Sequence, residues 1–181
     1  MHARHVFLNL AIGLPLLLVA GAAGAQPAAA TDAEYTAKVM TAAPPQIVRN
    51  ATIVRMEGSA MHTLKKGANA FTCFVDTDGT PMCADPNAME WSHAQAIHAP
   101  PPNKIGFIYM LAGDTGAGNT DPFASKPEPG NHWIRTGPHV MIVGPAATAM
   151  AGYPRMPDPD TTQPYVMWPG TPYEHLMLPV K

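Results

Sequence analysis

The sequence predicts an α+β domain: a mostly antiparallel, curled sheet of about seven or eight strands with two short helices. Three observations predict it. Short apolar runs such as "ATIVRM", "KIGFIYM", "HVMIV" and "HLMLPV" are bounded by Gly, Pro, Asn and Asp, the pattern of strands closed by turns. The 181 residues include 21 Pro and 15 Gly, which cut the chain into short elements. Only two segments carry helix start and stop signals, and they do not alternate with the strands. Parallel pairing needs regular crossover helices, so their scarcity favours antiparallel pairing.

The elements follow in order. Asp32 caps a short helix through about Ala42, with Tyr35 and Val39 four apart on one face, and Pro44-Pro45 stops it. Ala51–Met56 reads as a strand, and "AMHTLKKGANAFTCFV" as two more around a turn at Lys66-Gly67. "DTDG" at Asp76–Gly79 is an Asp-Gly turn. A calcium loop counted from Asp76 would need Gly at the sixth position and Glu at the twelfth, where Pro81 and Asn87 stand. The clearest helix begins at Asp85, a natural N-cap followed by Pro86, and ends at Pro100–Pro102. His93 and His98 on it are five apart, a poor spacing for one ligand, and read as surface or boundary residues.

"KIGFIYMLAGD" is a central strand. The 18 residues from Thr115 to His132 form a loop longer than a plain connection needs. "WIRTGPHVMIVGP" returns to β structure with a bulge expected at Gly137-Pro138. "PDPDTTQP" is a second polar loop. "YVMW" and "HLMLPV" close the chain as a pair of strands.

The first 25 residues read as a secretory signal peptide. A short n-region precedes an apolar stretch broken by Pro15, and "AGA" at Ala23–Ala25 is a small-x-small cleavage signal before Gln26. Residues 26–45 then form a tether and short helix, and 46–181 one domain. No membrane span is expected after cleavage, and the location is periplasmic or secreted.

The leader holds one charged residue, Arg4. Its loss leaves 10 Lys+Arg of the original 11 against 13 Asp+Glu, a formal charge of −3. There is no basic patch, so nucleic acid is excluded as a partner. Cys73 and Cys83 are the sole cysteines, and outside the cytoplasm such a pair forms a disulfide. The spacing is not Cys-x-x-Cys, which argues against a thiol redox role.

The common enzyme motifs are absent. Ser59, Ser92 and Ser125 lie in no Gly-x-Ser-x-Gly or Ser-x-x-Lys context. There is no Gly-rich phosphate loop and no His-Glu-x-x-His.

What stands out is a repeated His-x-Met inside apolar runs, at His139/Met141 and His175/Met177. Residues two apart on a strand share a face. If the two strands neighbour each other, two imidazoles and two thioethers meet, a soft donor set that suits copper, with Met selecting Cu(I). Met61, His62 and Met167 are further candidate ligands. The competing explanation is packing, since Met fills irregular core gaps.

A catalytic alternative uses His132, Arg135, His139 or His175 with Asp114 beneath the long loop. A carboxylate-oriented His would be the base, and Arg135 would hold an anion. Trp133 and Trp168 are candidate pocket linings.

The phrases "MCADPNAMEW", "KIGFIYMLAGD", "NTDPFA", "TGPHVMIVG" and "YVMWPGTPYEHLMLPV" resemble a group of uncharacterised exported bacterial proteins, over roughly Cys73 to Val180. The resemblance implies export and a single domain. The chain differs from cupredoxin-like copper chaperones, which place a His and a Met ahead of a single His-x-Met. The expectation is therefore an exported protein binding a small ligand or metal ion, copper foremost. An enzyme under the 114–132 loop and an envelope structural or interaction protein are the alternatives.

Overall fold

The computed structural model describes residues 30–58, 60–145, 149 and 152–180. The signal peptide and the first residues of the tether lie outside the described residues. Helix α1 spans Asp32–Val39, and a single turn, α2, spans Pro45–Val48. The cap of α1 is Thr31, one residue earlier than the sequence suggested. Its hydroxyl accepts the Glu34 N–H, and the Glu34 carboxylate accepts the Thr31 N–H at 2.8 Å, a reciprocal box that satisfies two orphan donors. Pro45 does not simply end α1; it occupies the first turn of α2, where its missing N–H costs nothing.

Eight strands form one sheet: β1 (Thr52–Glu57), β2 (Ala60–Lys65), β3 (Thr72–Val75), β4 (Pro81–Ala84), β5 (Gly106–Met110), β8 (His139–Val143), β9 (Tyr165–Met167) and β10 (His175–Pro179). Their order is β2-β1-β3-β4-β5-β8-β10-β9. Two short strands in the loop region, β6 (Ala117–Gly118) and β7 (Trp133–Ile134), pair separately. The α+β class with a mostly antiparallel sheet is thus what the chain adopts, and the sheet is open. The parallel pair is β1 with β3. This corrects the expected β2–β3 hairpin: β2 turns back onto β1, and β3 joins β1 from the other side. Tyr35 pins that junction, donating to Val54 O and accepting the Val75 N–H, both at 2.9 Å.

Cys83 and Ala84 are successive on β4 and so point to opposite faces. Cys83 is disulfide-bonded to Cys73 directly across the β3–β4 pair. Both cysteines pack with Val39, Val48 and Ile53 under α1 and α2. Ala84 enters a second core with Ile108, Met110, Met141, Met167 and Met177, covered by α3 (Pro86–Ala96). Asp85 caps α3 by accepting the Ala88 N–H at 2.8 Å. The buried stripe of α3 is Ala88, Trp91 and Ala94; His93 and His98 are exposed, as expected. Among the described residues, no helix is long and apolar enough to cross a membrane.

Helix α3 sits close to β5 because position 106 is glycine. A Cβ there would lie 2.7 Å from Ala88 Cα and collide with the Ala88 backbone. Gly106→Ala is therefore expected to lower stability by about 1–3 kcal/mol through overpacking. A urea unfolding midpoint equal to that of the parent protein would show that α3 is not held at this distance.

Candidate functional site

The two His-x-Met strands are neighbours. In the β8–β10 pair Met141 stands directly opposite Met177, and His139 opposite Pro179. His139, Met141, His175 and Met177 share the sheet face that α3 covers, and all four are buried. The register spreads them as a row rather than a ring. His139 lies at one end of the Met141–Met177 pair and His175 at the other.

Each histidine is the first residue of its strand, and each is oriented in the same way. His139 Nδ1 lies 2.7 Å from Gly137 O, and His175 Nδ1 lies 3.0 Å from Tyr173 O. A carbonyl only accepts, so Nδ1 carries the proton and donates. Nε2 is then an unprotonated acceptor in each ring. Both Nε2 atoms are buried without a hydrogen-bond partner, as is Trp91 Nε1. Buried polar atoms almost always find partners, so two orphaned lone pairs on one face call for an explanation. Nδ1 bonded to a backbone carbonyl with Nε2 left open is the arrangement of metal-ligating imidazoles.

His175 sits in an aromatic enclosure. Its ring is edge-on to Trp91 at 5.3 Å and to Trp168 at 4.8 Å, and the two indoles stack at 6.0 Å. Trp168 has a left-handed backbone, φ +54°, a strained conformation for a bulky residue. It is held there by its indole N–H donating to Gly118 O at 2.8 Å and by Asn119 Oδ1 accepting its backbone N–H. Asn119 is fully buried and also donates to Met156 O and Pro157 O. The long loop and the second polar loop are thereby fastened over the row.

The catalytic candidates fall into two groups: Asp114 pairs with the backbone of Thr136, beside Arg135, and acts electrostatically on His139, whereas His132 is paired with Asp158. Asp114 Oδ1 accepts the Thr136 N–H at 3.0 Å, and its carboxyl is pushed up mainly by burial while the His139 charge pulls it down. His132 is paired with Asp158 at 2.9 Å at the rim, and Arg135 is exposed. Trp133 and Ile134 pair with the loop as β7. An open concavity of about 490 Å³ does exist in the long loop, between Thr120, Phe123, Lys126 and Asn131. Asp114, His132 and Arg135 do not line it. A second, of about 240 Å³, is lined by Pro101–Asn103, Gly144, Thr171, Pro172 and Glu174; neither buried imidazole lines it.

Among the described residues, no group of three or more His, Cys, Asp or Glu is placed to hold a metal ion. The further ligand candidates divide: Met61 and His62 lie on the exposed edge strand β2, whereas Met167 stands directly opposite His175. Met110, directly opposite His139, carries no mark in the sequence that separates it from core filler. No protein-family model, curated protein or solved structure matches the chain.

Burial lowers the His175 pKa from 6.5 to about 4, with the Tyr173 carbonyl opposing and His139 adding to the shift. His139 is lowered too, again chiefly by burial. The folded protein thus declines protons that the unfolded chain takes up below about pH 6.5. Stability is expected to fall as pH drops from about 6.5 towards 4, by on the order of 3 kcal/mol from His175 alone. The decline should be shallower in His175→Phe. A urea midpoint that stays flat between pH 6.5 and 4.5 would contradict the neutral, buried assignment.

Proposed function

We propose that the protein is an exported Cu(I)-binding protein whose ligands come from the buried histidine–methionine row. The observation that carries this reading is the pair of buried imidazoles, each with Nδ1 tied to a backbone carbonyl and Nε2 unpartnered, beside the Met141–Met177 pair. Imidazole and thioether are neutral, soft donors, and this combination suits Cu(I) over hard cations. Neutral ligands also suit a buried site, because no carboxylate or thiolate has to be desolvated to build it. Both imidazoles are already deprotonated at Nε2 at neutral pH, so the ion displaces no proton.

The row would bind and release an ion, and its residues line neither of the two open concavities, which favours binding as the reading. Location in the periplasm or outside the cell is part of the proposal and rests on the signal-like first 25 residues and on the disulfide.

The test is competition between the purified protein, disulfide intact, and a chromophoric Cu(I) chelator under anaerobic conditions. The expected result is withdrawal of Cu(I) from the chelator, with quenching of tryptophan fluorescence because Trp91 and Trp168 pack on His175. His139→Ala combined with His175→Ala should abolish it. Met141→Leu combined with Met177→Leu, which keeps the core volume, should weaken it at least about tenfold, or about 1.4 kcal/mol. If the chelator keeps all its copper against the parent protein, the row is packing and the proposal fails.

A further inference from the structure

Resting on the copper reading, we propose that the row holds two Cu(I) ions, one at each imidazole, with the Met141–Met177 pair shared between them. The strand register carries this. His139 stands directly opposite Met110 on β5. His175 stands directly opposite Met167 on β9. Met141 and Met177 face each other between the two histidines. Read across the sheet, the face runs Met110, His139, Met141, Met177, His175, Met167. Each imidazole has a thioether across from it on its outer side and the shared pair on its inner side.

All six residues are buried, the most exposed being Met141 at 8%. The four methionines belong to one packed cluster, with partly buried Met82 against it. Directly opposed residues have Cβ atoms about 4.5–5.5 Å apart and diagonal neighbours about 7–8 Å, within reach of a methionine side chain. Each half of the row therefore offers one Nε2 and two thioethers to an ion placed beside its histidine.

The strand register spaces the two histidines for one ion each. His175 falls level with Val143 in the continued register, four residues along from His139, which is about 13 Å at 3.3–3.4 Å per residue. Each Nδ1 is tied to the carbonyl two residues earlier in the chain, on the side of its histidine away from the methionine pair.

A carboxylate also lies near each histidine. Asp114 acts on His139 and Glu174 acts on His175, so each imidazole lies in the field of one carboxylate. Glu174 is 6% exposed and is further held by Arg155 at 2.7 Å and the Gly170 N–H. The shared methionines give an ion a route from one imidazole to the other without passing through water.

Native mass spectrometry of the full, disulfide-intact protein titrated with silver(I), a redox-inert stand-in for Cu(I), tests this. Two bound ions are expected, and one in either His139→Ala or His175→Ala. The volume-conserving variants guard against misfolding. Met110→Leu should weaken one ion about tenfold and leave the other, and Met167→Leu should do the same to the other ion. A single ion that both histidine variants lose would overturn the two-ion proposal while leaving copper binding intact. No bound ion in the parent protein would overturn both.

Discussion

The structure depends on a pair of buried imidazoles that keep one nitrogen unsatisfied. An orphaned buried acceptor costs on the order of 1–3 kcal/mol, and two of them are a large fraction of a domain's net stability. The chain nevertheless fixes both rings by the same device. Each histidine opens a strand, and the carbonyl two residues earlier takes the Nδ1 proton. The repeated geometry turns two costly acceptors into a matched pair on one sheet face.

Much of the remaining architecture holds that face in place. The disulfide, α1 and α2 build one core on the far side of β4, so the covered face does not have to stabilise the whole domain. The close approach of α3 at Gly106 brings Trp91 onto His175. Asn119 ties two long loops to Trp168, whose strained backbone places its indole against the same ring. Three non-glycine residues have left-handed backbones among the described residues: His98, His132 and Trp168. Trp168 touches His175 itself. His98 stacks on Phe123 at 3.8 Å, and Phe123 meets Tyr173, which also packs against Trp91.

The sheet, its antiparallel character, the α3 cap at Asp85 and the Cys73–Cys83 bridge were legible from residue type alone, because turn residues and period-two patterns are local. So was the shared face within each His-x-Met. What was not legible came from register and chain order. Nothing in "AMHTLKKGANAFTCFV" says that β1 will insert between its two strands. The single turn at Pro45 was hidden behind a dipeptide that normally ends a helix. Met110 and Met167 gain meaning only from standing opposite His139 and His175, a relation across strands distant in sequence. Trp91 was visible only as part of a helix, and its place against His175 depends on how closely α3 docks. Asp114, His132 and Arg135 lie outside the strands, so period-two patterning says nothing of their surroundings: Asp114 bonds to Thr136 and acts on His139, and His132 pairs with Asp158.

The most direct measurement of the central claim is the tautomeric state of the two buried histidines, read by nitrogen-15 NMR of the imidazole rings at neutral pH. The account predicts that His139 and His175 are neutral, protonated at Nδ1, with Nε2 unprotonated and outside any hydrogen bond. An Nε2–H tautomer, or a doubly protonated ring, at either position would contradict it, because the lone pair on which the site is built would not exist.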